Sequence, residues 1–196
     1  MKLQPLPPEF FARDATSVAR DVLGCLLVSD VGGARCVVRL VEVEAYTGPR
    51  DAASHCAGWH RSPRNESMYG PPGHAYVYFT YGMHWCCNIV TGREGYPCAV
   101  LIRAGEPLVG LETMRKRRGG DVADRLLCSG PARLAEAMGI TRELDGHDLR
   151  RPPLFLARGE PIPARRRRRS VRIGISKAKE RLLRFYEADN PNVSRR

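Results

Sequence analysis

Val41-Glu42-Val43-Glu44-Ala45-Tyr46 reads as a β-strand whose alternation sends Glu42, Glu44 and Tyr46 to one face and Val41, Val43 and Ala45 to the other. One face is fit for a core. The other sets two carboxylates beside an aromatic ring. An isolated strand-end acid is usually just a surface charge, but a catalytic carboxylate needs a rigid mount within hydrogen-bond reach of a water, and a strand end supplies one. Glu44, next to Tyr46, is the first candidate; Glu42 is the alternative acid or a supporting group.

Working outward, Cys25 to Val28 and Cys36 to Glu44 form a strand pair across Asp30-Val31-Gly32-Gly33. A second hairpin runs from Ala75 to Tyr81 and back from Met83 to Val90, turning at Gly82. Ala99 to Arg103, Leu154 to Ala157 and Val171 to Ile175 are further strands. Helices are expected over Phe10 to Leu23, stopped by Gly24, from near Pro107 to before Gly119-Gly120, and from Pro131 to Met138, closed by Gly139 with Ser129 as N-cap. The amide end of that last helix suits a phosphate. Residues 47 to 73, rich in Gly, Pro, Ser and Asn, form a long loop of the kind that is more often functional than idle. At 196 residues, 43% hydrophobic and without internal repeats, the chain fits one mixed α/β domain over 1–196, with 187–196 as a flexible tail.

The net charge of +11 calls for an anionic partner. Membrane surface and nucleic acid both qualify, but no polybasic amphipathic helix is visible and no apolar run is long enough to span a bilayer. Lysine occurs only at Lys2, Lys116, Lys177 and Lys179, so the long stretch around Glu44 offers no amine for Schiff-base chemistry. Seven cysteines without framework spacing, and no signal-peptide pattern, point to a reducing cytoplasm. His55, Cys56 and His60 resemble ligand material, yet neither a zinc-deaminase pattern nor a closed four-ligand set is present, so no metal and no cofactor are expected. The run Arg165 to Arg169 reads as a solvated loop, with contact to a DNA backbone as the alternative.

Tyr76, Tyr78 and Thr80 alternate with Val77, Phe79 and Tyr81. Tyr76 reads as core, Tyr78 as a plate for stacking a base, and Tyr81 at the hairpin tip as a wedge for a base step. The plain alternative is cross-strand aromatic packing. His55 is a pocket wall or a solvent-facing loop residue; Asn88 can read a base edge; Arg103 can orient Glu44 or a phosphate. Together these residues suggest an enzyme that extrudes a base and aims water at its sugar. A nucleic-acid binding module that keeps only the aromatic platform is the competing reading.

Taken in order, Glu44-Ala45-Tyr46, Gly48-Pro49 with Asp51 and His55, Arg64-Asn65, Tyr76-Val77-Tyr78, Tyr81-Gly82-Met83, Asn88-Ile89, Leu101-Ile102-Arg103-Ala104, Glu106-Pro107, Gly110-Leu111-Glu112-Thr113-Met114-Arg115 and Leu127-Cys128-Ser129-Gly130-Pro131 resemble the alkyladenine (3-methyladenine) DNA glycosylase family. The resemblance runs, with gaps, from about residue 8 to Leu183-Arg184-Phe185-Tyr186. It implies an α/β, α+β-like domain around a curved antiparallel sheet, with a protruding hairpin that enters the minor groove. It further implies a monomeric, monofunctional glycosylase of base excision repair, free of metal and lyase activity. Its partner would be duplex DNA carrying damaged purines such as 3-methyladenine, 7-methylguanine, hypoxanthine or ethenoadenine. The roles implied are Glu44 as general base, Arg103 beside the catalytic water, Tyr46, His55 and Tyr78 around the flipped base, Asn88 against normal guanine, and Tyr81 in the vacated place in the duplex. Arg64, Ser129, Arg133 and Arg172 are expected on the DNA backbone, and the enzyme on the nucleoid when engaged. Departures from the family pattern fall at Cys56-Ala57-Gly58-Trp59-His60, at Thr80 and in the arginine run.

Overall fold

A computed structural model describes residues 3–80 and 82–194. In chain order its elements are α1 (Pro8–Phe11), α2 (Ala15–Asp21), β1 (Leu26–Ser29), β2 (Cys36–Tyr46), β3 (Ala75–Thr80), β4 (His84–Thr91), β5 (Cys98–Val109), α3 (Leu111–Arg117), α4 (Asp124–Leu127), α5 (Pro131–Met138), β6 (Arg150–Arg151), β7 (Leu154–Ala157), β8 (Arg167–Ser170) and β9 (Arg184–Glu187). The sheet runs β3-β4-β5-β2-β1-β7-β6 with every neighbour antiparallel, and curls into a half-barrel. The N-terminal half of β2 pairs with β1; its C-terminal half pairs with β9, which carries β8 on its far side.

The alternation read from β2 holds from Glu42 to Tyr46, but a register shift between Leu40 and Glu42 takes Val41 out of it, and Val41 packs with Ala104 and Val193 instead of the main core. Val43 and Ala45 join Val100, Ile102, Ile89 and Val77 in a core closed by Val18 and Ala19 of α2 and Leu134 and Met138 of α5. Each such side chain, fully withdrawn from water, contributes about 1.5–3 kcal/mol if Val-sized or larger. The opposite face carries one transverse row: Tyr76 pairs with Asn88, Asn88 with Leu101, Leu101 with Glu44, and Glu44 with Arg184. Residues far apart in the chain thus reach a single line across five strands.

Arg103 enters through an irregularity. Val43 pairs with Ile102 but Glu42 pairs with Ala104, so Arg103 is the extra residue of a bulge on β5. Bulges re-aim side chains; this one sends a guanidinium to both carboxylates of β2.

Several expectations are corrected. The helix over Phe10 to Leu23 is two, because the Asp14 side chain accepts the Ser17 N–H and starts a new N-terminus. Strand β5 runs through Pro107 to Val109, where a register shift opposite Val37 and Val38 tolerates an imino acid, and Gly110 at φ +82° then turns the chain into α3. Residues 171–175 are not a strand, since the Ile173 N–H is spent on Glu44 and the Arg172 side chain turns inward. The arginine run is a short helical turn and the strand β8, not a loop. Over residues 187–194 the expected flexible tail is corrected too: Asn190, Asn192 and Val193 are buried, and Ser194 bonds to Glu42. Among the described residues no helix is long and apolar enough to cross a membrane.

Candidate active site

A cavity of about 530 Å³ opens on the polar face of the sheet. Its walls include Tyr46, His55, Tyr78, Asn88, Leu101 and Arg103, together with Pro131 and the segment Ile173 to Lys177. That volume is within the range of small-molecule pockets.

Glu44 lies under this floor rather than in it. Its side chain is 0% exposed, and three residues that do line the cavity hold it. The Tyr46 hydroxyl donates to Oε2 at 3.0 Å, the Ile173 N–H donates to Oε1 at 2.8 Å, and Arg103 Nη1 stands 3.4 Å from Oε1. A carboxylate offers about four acceptor directions, so Oε2 keeps one beyond Tyr46. Burial pushes the Glu44 carboxyl above its ordinary 4.5, outweighing the Arg103 charge and the two hydrogen bonds. Glu42, also fully covered, moves the other way. Burial opposes its charge, but Arg103, the Ser194 N–H and Arg184 more than compensate and hold it below 4.5.

The aromatic wall is cross-braced. Tyr76 and Tyr78 stack at 5.2 Å between centroids, and the His55 ring meets Tyr78 edge-on at 4.6 Å. The Tyr76 hydroxyl sits 2.8 Å from His55 Nδ1, so Nε2 is left to other partners. His55 is exposed at the rim. Partial desolvation, with the nearby Arg64 charge, still lowers its pKa from 6.5 and keeps the ring neutral at pH 7. The loop that carries His55 is clamped by the Asn65 carboxamide, whose nitrogen donates to the carbonyls of His55 and His60. Asn88 donates to the Tyr76 carbonyl at 3.0 Å.

Arg172, expected on the DNA backbone, is a correction. Its side chain is 0% exposed and forks onto Asp51, with contacts of 2.6 and 2.8 Å, while its guanidinium carbon lies 4.6 Å from the Tyr46 ring centroid. One face of Tyr46 is therefore taken, and the ring can offer a base only the other. Ser129 is likewise corrected: it is 94% covered, and the residue at the cap of α5 is Gly130, with no side-chain cap. Arg64 and Arg133 are exposed, the first donating to the Phe79 carbonyl at the base of the hairpin. Tyr81 lies outside the described residues; beside it Phe79 and Met83 are exposed apolar side chains.

Five residues contribute in ways that the sequence reading did not anticipate. Ile173 acts through its backbone, which no side-chain pattern reports. Asp51 and Arg172 meet across 121 residues. Lys177 is distant in sequence but reaches the cavity wall, so the lysine-free stretch around Glu44 does not keep amines from the site. Ser194 caps Glu42 from the far end of the chain. Among the described residues no three His, Cys, Asp or Glu side chains gather where they could hold a metal ion.

Residues 9–191 match the family model described as methylpurine-DNA glycosylase. Relatives from Carboxydothermus hydrogenoformans and Streptomyces avermitilis, both provisionally named as 3-methyladenine DNA glycosylases, are 46% and 47% identical. Those alignments cover 97% of this chain, and 99% and 91% of the respective relatives. A relative from Methanoculleus marisnigri with the same provisional name is 47% identical over 97% of this chain and 99% of its own.

Proposed function

The chain belongs to the methylpurine-DNA glycosylase family, and from that premise we propose that it flips alkylated or deaminated purines out of duplex DNA and hydrolyses the N-glycosidic bond with a water activated by Glu44. As a member it is a DNA glycosylase of base excision repair for methylated purines. The finer reading rests on one observation: a covered carboxylate, its pKa raised by burial, lies against the Tyr46 and Arg103 floor of an aromatic-walled cavity.

In the proposed reaction, exposed arginines such as Arg64 and Arg133 bind phosphates, and the hairpin tip with Tyr81 fills the gap left by the everted nucleotide. Eversion costs a few kcal/mol, less for a damaged and weakened pair. The base enters between the free face of Tyr46 and the His55–Tyr78 wall. A cationic alkylated purine gains about 0.5–2 kcal/mol there from the electron-rich rings. Asn88 disfavours a normal guanine through its exocyclic amino group. Glu44 is covered by Tyr46, Arg103 and Ile173, so the step requires these to part and admit a water to the free direction of Oε2; that water gives up its proton as it attacks C1′, and the base departs. Cationic lesions leave unaided; a neutral one such as hypoxanthine needs a proton donor at the ring. The products are free base and an abasic site. Carboxylate and water suffice for this chemistry, so the proposed reaction uses no cofactor, and the enzyme acts as a monomer in the cytoplasm, on the nucleoid.

The position of Lys177 favours a second reading, in which its amine condenses with the abasic aldehyde, releasing water, and the imine then eliminates the 3′ phosphate. Glu44 and Lys177 separate under one assay. Duplexes bearing 3-methyladenine, 7-methylguanine, hypoxanthine or ethenoadenine are scored for abasic sites, with and without chelator, and for borohydride-trapped adducts. Hydrolysis predicts abasic sites that survive chelation and no adduct. An adduct lost in Lys177→Ala establishes the second reading, and absence of abasic sites on every lesion refutes the glycosylase mechanism.

A further inference from the structure

Arg103 is shared by two covered carboxylates, and the sharing is unequal. Its Nε donates to Glu42 Oε1 at 2.9 Å, whereas its Nη1 stands 3.4 Å from Glu44 Oε1. Glu42 takes three further contacts at closed distance: Arg184 Nε at 2.8 Å, the Ser194 N–H at 2.7 Å and the Ser194 hydroxyl at 2.9 Å. The Ser194 hydroxyl also lies 3.5 Å from Arg103 Nη2. Both acids sit on one strand with their side chains on the same face, and a bulge places Arg103 between them. A buried carboxylate so heavily bonded is a fixed anion; the less bonded one keeps room for a proton.

We propose that Glu42, seated by Ser194 from the C-terminal segment, is a positioning residue that holds Arg103 by its Nε edge and thereby leaves the Glu44 carboxylate free to take a proton from water. Glu42 itself touches neither cavity nor substrate. Without it, the guanidinium has one carboxylate left to pair with and closes on Glu44 Oε1, and the tighter ion pair makes the whole carboxylate, Oε2 included, a weaker base. Two acids pushed in opposite directions by their surroundings are the pattern by which one fold separates a proton acceptor from a fixed charge. The C-terminal residues thereby become part of the site's framework rather than an appendage. The inference rests on the glycosylase reading above.

The groups facing Glu44 define what a pH measurement sees. They are Glu42 and Tyr46 on β2, Arg103 on β5, Arg184 in register on β9, and Arg172 beside Ile173, with Lys177 farther along the cavity wall. Removing the Glu42 charge takes away a repulsion that favours protonated Glu44 and frees Arg103 to approach it. Both effects lower the Glu44 pKa, so the acid limb of the rate profile moves to lower pH.

The test is single-turnover base release across pH for wild type, Glu42→Gln, Glu42→Asp and Ser194→Ala, with duplex affinity and Tm measured in parallel. Glu42→Gln is expected to keep affinity, to lose on the order of 10–100-fold in rate as supporting partners of a reacting group do, and to shift the acid limb downward. Glu42→Asp recovers part of the rate. Ser194→Ala, which leaves both arginines on Glu42, shifts the limb in the same direction by less. In a Glu44→Gln background, Glu42→Gln adds no further loss. A folded Glu42→Gln with unchanged rate and limb overturns the proposal; should that variant not fold, an unmoved limb in Ser194→Ala does so. A Glu42→Gln loss that persists in the Glu44→Gln background also overturns it. If wild type releases no base at all, the glycosylase reading fails instead.

Discussion

Replacing Asp51 by Asn strips the partner from a buried arginine, and the geometry of the pair sets the cost. Both side chains are 0% exposed and joined by two charge-assisted bonds of 2.6 and 2.8 Å. The Arg172 Nε has no partner among the described residues, so Asp51 carries most of its compensation. Leaving such a charge buried and unpaired costs about 3–5 kcal/mol, which for a chain of this length is roughly 6–20 °C in Tm. Asp51 also accepts the N–H groups of Thr47 and Ala53, so the loop bearing His55 should loosen and affinity for damaged duplex fall. Burial opposes the Asp51 charge, but its bonds and attraction to Arg172 outweigh this and set its pKa below 3.8. A depressed acid stabilises above its unfolded pKa and loses that contribution as pH falls through the folded one. The Tm gap between wild type and Asp51→Asn is therefore full at pH 6–7 and shrinks in acid, below about pH 4. Calorimetry from pH 3 to 7 reads this directly. The paired change Asp51→Leu with Arg172→Met should recover most of the lost stability. A Tm within about 2 °C of wild type for Asp51→Asn at pH 7 refutes the assignment of the pair as a structural clamp.

Tyr76→Phe removes the hydroxyl 2.8 Å from His55 Nδ1 at a cost of about 1 kcal/mol. With the tautomer unpinned, excision of neutral hypoxanthine should fall more than that of cationic 7-methylguanine, and equal losses contradict the brace. Gly110→Ala puts a Cβ 2.5 Å from the Arg35 carbonyl at φ +82°, so it should lose about 1–3 kcal/mol by thermal unfolding; an unchanged Tm shows that the β5–α3 corner relaxes. If about 6 phosphates are bound, the slope of log affinity against log salt is near −5, and a flat response removes the electrostatic account of DNA binding.

The range of each interaction decides whether the sequence could reveal it. The acid and ring of β2 were legible because alternation is local, and for the same reason Tyr78 and Asn88 fell on the cavity wall and Tyr76 in the core beside it. The split of the first helix was also within reach, since Asp14 and Ser17 form an N-cap three residues apart. Arg103 was placed at a strand end, but its reach to both acids comes from a bulge, which depends on register against β2. Arg172 looked like a phosphate ligand because arginines on a basic chain usually are; only the fold reveals that Asp51 draws it inside. Lys177, the Ile173 N–H and Ser194 come from segments remote in sequence, and no spacing rule joins residues 42, 44, 173 and 194. The arginine run misled for a related reason, since like charges read as solvated loop even where backbone bonding to β9 makes them a strand.

The central claim is that the Glu44 carboxylate activates the water that severs the glycosidic bond. Single-turnover release of 3-methyladenine or hypoxanthine by Glu44→Gln, at enzyme concentrations that saturate the duplex, tests it most directly. Damaged-duplex affinity close to wild type with base release lower by orders of magnitude is the predicted result. Release at the wild-type rate contradicts it.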